Sequence, residues 1–302
     1  MTIEAKIAAL KETKNAVILA HYYQRPEVQQ IADYVGDSYY LSKVARQVKQ
    51  KLIVFCGVHF MAESAKILSP HKKILLSAAQ AGCPMASMAS VPAVTRLKEK
   101  HPDAAVVCYI NSTAQVKALC DVCVTSANAL AIIRSLPQHK IIFLPDRNLS
   151  FYVASQCPDK QFIHYPGYCI VHHRVMPEIV LSLKQKHPNT PVAAHPECRK
   201  EVLALADFVG STGAILNYAV NSPAPEFIII TEEGIRYELE KQNPGKKFHF
   251  PYQVPMICVN MKKTNLENVL WVLEDECNEI EIDGRIRQQA SGCLEKMHLL
   301  AN

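Results

Sequence analysis

The sequence has no apolar run long enough to cross a bilayer, and its start, MTIEAKIAALKETKN, has no apolar core of a secretory signal. That start reads instead as a short amphipathic helix, and no membrane partner is expected. Long runs of Lys or Arg are also missing, although the net charge is +5, so no nucleic-acid-binding tract is expected either. The mild positive balance suits small anionic substrates. A disulfide framework is a third absence. Eleven cysteines is an odd number, and in a reducing cytoplasm, the expected location, they would serve as thiols or metal ligands.

What is present is an ordinary globular composition, 49% hydrophobic and 20% charged over 302 residues, with room for two or three small domains. Within it the chain repeats itself. The segments LAHYYQ, VCYINS and AAHPEC put His21, Tyr109 and His195 at matching points, 88 and 86 residues apart. VGDS, VTSA and GSTG put Ser38, Ser126 and Thr212 at the same two offsets. Compact runs rich in β-branched residues follow (LIVFC, KIIFL, EFIII), then helical patterns (HFMAESAKIL, NLSFYVASQ, EGIRYELEKQ), then closing strands (KILLS, QFIHY, KFHF).

Short strands alternating with helices predict an α/β fold with parallel sheets covered on both faces. The expectation is three similar three-layer αβα domains with short parallel sheets around a pseudo-threefold axis, with the active site at the centre. The boundaries are placed at 1–82, 83–168 and 169–257. The remainder, 258–302, is expected to pack back on the first repeat through LENVLWVLEDE.

The polar residues of the repeat are candidates for binding. Ligands of open parallel sheets sit beyond the carboxyl ends of strands. His21, Tyr109 and His195 fall at such ends, with Asn111 and Glu197 close behind the second and third. Ser38, Ser126 and Thr212 fall at helix starts, where a hydroxyl either caps the helix or helps it receive an anion. One cysteine per repeat also recurs: Cys83, Cys169 and Cys258, spaced by 86 and 89 residues after the closing strands. Convergence of three thiolates suggests a metal with one position open, as zinc with a water or as a [4Fe-4S] cluster with one iron lacking a protein ligand. Cys120 and Cys123 form a C-x-x-C with no second pair at zinc-ribbon spacing, and they read as core thiols, as do Cys56, Cys108, Cys157, Cys198, Cys277 and Cys293. His172 and His173 lie close enough to Cys169 for either to reach such a centre.

In combination, ILAHYYQ with GDS, AGCPM, CYINST, VCVTSANA, PGYCIVH, AHPEC, GSTGAI and MICVNMKKTNLENV resemble the quinolinate synthase family over essentially the whole chain. The resemblance implies three α/β domains around a central [4Fe-4S] cluster held by Cys83, Cys169 and Cys258. It implies condensation of iminosuccinate with dihydroxyacetone phosphate to quinolinate, phosphate and water, in de novo NAD biosynthesis. His21, Ser38, Tyr109, Asn111, Ser126, His195, Glu197 and Thr212 match the family's substrate-binding positions. Tyr23 and Glu197 match residues tied to proton transfer, with Tyr109 as a further catalytic candidate. A transient contact with an L-aspartate oxidase is a further expectation. The sequence departs from the family's habit at Ala127, often serine, and at His173, often acidic. On the residues alone, a noncatalytic iron–sulfur sensor or a zinc enzyme acting on a phosphorylated sugar would use the same thiols.

Overall fold

The computed structural model describes residues 1–301. Twelve strands form three four-stranded sheets, all parallel. The first holds β1 (Ala16–His21), β2 (Tyr34–Gly36), β3 (Leu52–Cys56) and β4 (Lys73–Leu76). The second holds β5 (Ala105–Tyr109), β6 (Val122–Val124), β7 (Lys140–Leu144) and β8 (Gln161–His164). The third holds β9 (Val192–Ala194), β10 (Phe208–Val209), β11 (Glu226–Ile230) and β12 (Lys247–His249).

The spatial order is the same each time: β2-β1-β3-β4, β6-β5-β7-β8 and β10-β9-β11-β12. Parallel strands need crossover connections, and helices supply them, covering both faces of each sheet. Strands buried on both faces lose the alternating pattern of a half-exposed strand. AVILAH and LIVFC are accordingly buried at every position. The fold is therefore the triplicated αβα arrangement expected from the repeat.

The register creates the same crevice three times. In each sheet the first strand lies between the second and third, so the connections leave it in opposite directions. The space beyond its carboxyl end is a topological switch point. His21 and Tyr109 are the last residues of β1 and β5, and His195 directly follows β9.

The three two-to-three-residue strands β2, β6 and β10 were not resolved as strands by the sequence pattern, because a period of two needs more positions than they have. They matter here because they deliver the chain to Ser38, Ser126 and Thr212.

The last segment is divided. Helix Leu266–Asp275 lies against helix Ile3–Thr13 and β3, and Val269, Val272 and Leu273 complete the outer core of the first sheet. Helix Gly284–Leu300 lies elsewhere, between helix His59–Leu68 of the first unit and β6 with helices Ala114–Lys117 and Ala129–Ser135 of the second. Its Ala290, Cys293, Leu294 and Met297 are buried in a core continuous with both sheets. Among the described residues, no helix is long and apolar enough to cross a membrane.

Candidate active site

Residues from all three units line one cavity of about 80 Å³. The polar strand ends meet there: His21 and Tyr23 from the first unit, Tyr109 and Asn111 from the second, His195 and Glu197 from the third. Ser38, Ser126 and Thr212 line it too, as do Cys83, Cys169 and Cys258. The repeated strand-end, helix-start and cysteine positions, with Tyr23, Asn111 and Glu197, therefore all line this one space.

At the helix starts other side chains do the capping. Asp37, not Ser38, caps helix Ser38–Gln47, accepting the Tyr40 N–H at 3.0 Å. Ser211, not Thr212, caps helix Thr212–Asn221 through the Ala214 N–H at 3.2 Å. In the second unit Asn128 Oδ1 accepts the Thr125 N–H at 2.6 Å, and Thr125 Oγ1 accepts the Ala127 N–H at 3.3 Å. Ser38, Ser126 and Thr212 are thus relieved of capping and line the cavity at or near helix N-termini, which favour anions.

The first and third units hold their histidines in the same way. The Tyr23 N–H donates to His21 Nδ1 at 3.1 Å, and the Glu197 N–H donates to His195 Nδ1 at 3.3 Å. An imidazole that accepts at Nδ1 carries its proton on Nε2. His195 Nε2 lies 3.2 Å from Ser126 Oγ and so donates to it. Burial pushes His21 down to about 3, with help from Lys262 and the neighbouring His195. Burial also pushes His195 down to about 3, against the opposing pull of Glu197. Both rings are neutral donors at physiological pH.

These depressed values have a consequence for stability. Between the ordinary value of 6.5 and about 3, each ring binds a proton in the unfolded chain but not in the folded one. Stability is then lost as the pH falls through that window, by about 2 kcal/mol per histidine between pH 7 and pH 5. The urea midpoint should drop accordingly on acidification, and His21→Gln should make the drop shallower. An identical slope in the two proteins would show that His21 is charged in the folded state.

Glu197 is the centre of the polar network. Tyr109 O–H donates to its Oε1 at 2.6 Å, and His172 Nδ1 donates to its Oε2 at 2.8 Å. Burial acts to raise its pKa, against which the hydrogen bonds donated by His172 and Tyr109 favour the ionised form and hold the carboxyl low. Tyr23 shares hydrogen bonds with Thr212 Oγ1 at 2.7 Å and Thr231 Oγ1 at 2.9 Å. Burial, and then the nearby Glu197 charge, lift the phenols of Tyr23 and Tyr109 well above their ordinary range, so both keep their protons. Asn111 Oδ1 is buried with no hydrogen-bond partner in the protein. An orphaned acceptor at a cavity wall is costly unless a bound group satisfies it.

Comparison with known proteins fits this geometry. The family described as "Quinolinate synthetase A protein" matches residues 5–299. The chain belongs to that family. It is 53% identical over 300 residues to the quinolinate synthase of Clostridium perfringens strain SM101, covering 99% of each chain. It is 52% identical over 296 residues to that of Clostridioides difficile strain 630, covering 98% of this chain and 97% of the other. With the quinolinate synthase of Caldicellulosiruptor bescii the identity is 54% over 295 residues, again 98% and 97%.

Some residues that support the site were missed in the sequence. Asp146 accepts the Cys169 N–H at 3.0 Å, and Glu232 accepts the Cys258 N–H at 3.0 Å. These two carboxylates are 86 residues apart, the repeat offset, and that spacing was the available signal. Each fixes the loop of one cysteine. The first unit has Val58 at the equivalent place. Glu232 is also paired with Lys262 at 3.0 Å.

Of the two histidines near Cys169, His172 is the one in the cavity. Its Nδ1 lies 3.3 Å from Cys169 Sγ and its Nε2 3.0 Å from Thr231 Oγ1. His173 turns away to Arg147 at 2.9 Å and Asn148 at 3.0 Å.

Two groups of thiols stand out in this family member. Cys83, Cys169 and Cys258 each follow the closing strand of a unit and face the cavity. Burial lifts all three thiols, Cys83 to about 12; they stay protonated until a cation displaces the proton. Three thiols from equivalent loops that line one cavity are candidate ligands for a metal group. The second group is Cys108, Cys123 and Cys293, buried away from the cavity and close enough together to hold a metal ion. By residue pattern alone these three read as core thiols.

Proposed function

We propose that the chain is an enzyme of de novo NAD biosynthesis that condenses iminosuccinate with dihydroxyacetone phosphate, a transferase-type condensation and dehydration yielding quinolinate, phosphate and water. The observation that carries the proposal is the single cavity in which three thiols and polar residues from all three units converge. A sensor would need the thiols but not the hydroxyls, imidazoles and carboxylate around them.

On this reading Cys83, Cys169 and Cys258 hold a [4Fe-4S] cluster. When bound, it supplies Lewis acidity at the iron that lacks a protein ligand. The side chains do the rest. Ser38, Ser126 and Thr212, at or near helix N-termini, receive carboxylate and phosphate oxygens without burying a bare charge. His21 and His195 donate from Nε2. Asn111 offers its unpaired carbonyl to an imine or hydroxyl proton. Tyr23 and Tyr109, held protonated, donate to departing oxygens. Glu197 accepts protons. Its carboxyl is held low before substrate arrives, and the incoming carboxylates raise it towards the range of a useful base. Enclosure limits attack of water on imines. Because iminosuccinate is itself hydrolysed in water, transient contact with an L-aspartate oxidase suits the reaction, and the free thiols suit a cytoplasmic location.

The test is an anaerobic assay for quinolinate with both substrates, alongside iron and sulfide counts. About four irons and four sulfides per chain, with quinolinate formed, are expected. A colourless, iron-free protein containing zinc at this centre would replace the reading with that of a zinc enzyme.

A further inference from the structure

The second thiol group lies where the C-terminal helix meets the second sheet. Cys108 is in β5, Cys123 is its register partner in β6, and Cys293 is on helix Gly284–Leu300. The sulfurs are 3.2 Å (Cys108–Cys123), 3.3 Å (Cys123–Cys293) and 3.6 Å (Cys108–Cys293) apart. A fourth thiol, Cys120, is buried beside them but donates to the Val116 carbonyl at 3.1 Å, so it joins the set only by turning about its Cα–Cβ bond. All four are buried.

Ordinary packing does not require this arrangement. The equivalents of Cys108 are Ala20 and Ala194; those of Cys120 are Ala32 and Ala206; those of Cys123 are Val35 and Val209. The other two copies of the repeat therefore close the same positions with apolar side chains. Only the copy that receives helix Gly284–Leu300 has sulfur there, and the helix brings the remaining thiol.

The distances point to one ion rather than a cluster. Tetrahedral ligation at about 2.3 Å puts sulfurs about 3.8 Å apart. A multi-iron cluster would spread three ligands over separate irons, farther apart than these are. Charge points the same way. Lys117 is fully buried, donates to the Ser112 carbonyl, and pairs with no carboxylate among the described residues. Its positive charge acts on both Cys108 and Cys123. An ammonium buried without a counter-ion is costly. Four thiolates around a divalent ion carry a net charge of about −2, which would supply one.

We propose that Cys108, Cys120, Cys123 and Cys293 form a closed site for a single zinc ion that fastens the C-terminal helix to the second unit. The site is separate from the open centre at Cys83, Cys169 and Cys258. Four sulfur ligands leave no position for substrate, so the ion is structural, and its four protons leave to solvent as the helix docks.

The experiment uses the full-length protein purified anaerobically with its iron. Elemental analysis should give about one zinc per chain, and zinc X-ray absorption should give a shell of four sulfurs near 2.3 Å. Cys293→Ser should lower zinc at least tenfold while iron is retained, and Cys169→Ala should do the reverse. The wild-type measurements decide the matter even if a variant fails to fold. Less than about 0.1 zinc per chain in protein grown with zinc, a shell containing nitrogen or oxygen, or zinc undiminished in folded Cys293→Ser would each overturn the site. So would a disulfide among these four cysteines in zinc-free protein.

Discussion

Glu197→Gln is expected to cut quinolinate formation by about 10²- to 10⁴-fold while iron and sulfide per chain stay at the wild-type level. The substitution keeps the shape of the side chain and a carbonyl oxygen for the Tyr109 hydroxyl, now 2.6 Å away. It removes the charge that His172 meets at 2.8 Å and the capacity to take up a proton. The loss should lie in kcat more than in KM, because Glu197 is assigned proton transfer and the anionic groups of the substrates are assigned to the hydroxyls and helix starts. Turnover within a few-fold of wild type would remove the carboxylate from the role of base and leave Tyr23, hydrogen-bonded to Thr212 and Thr231, as the group to examine.

Cys169→Ala has the second large effect expected: iron and sulfide per chain at least tenfold lower, the visible absorbance gone, and quinolinate formation lost with it. The fold should survive. Cys169 lies in a loop after β8, and the three sheets are held by their own apolar faces. Far-ultraviolet circular dichroism of the variant should match that of the wild-type protein. Full iron in a folded Cys169→Ala protein would show that the ligand set lies elsewhere.

Much of this arrangement was legible because the chain states it three times. A polar residue after a β-branched strand means little once; at offsets of 88 and 86 residues it marks equivalent strand ends. The sequence could not separate cap from ligand at Ser38 and Thr212, since both readings favour a hydroxyl at a helix start. The fold gives the capping role to Asp37 and Ser211. The shortest strands were hidden for want of positions.

The Cys108–Cys123–Cys293 group was hidden for a different reason. Its members come from adjacent strands and a distant helix, so no spacing along the chain announces them, and burial alone is what any core cysteine shows. Asp146 and Glu232 lay between these extremes: their offset was readable, but a carboxylate that holds a backbone amide has no sequence signature of its own.

Helix Gly284–Leu300 also ties two units into one cooperative block. Its apolar face completes an interior shared by the first and second sheets. Neither sheet keeps that interior dry without it, so the two should lose their order together rather than one at a time.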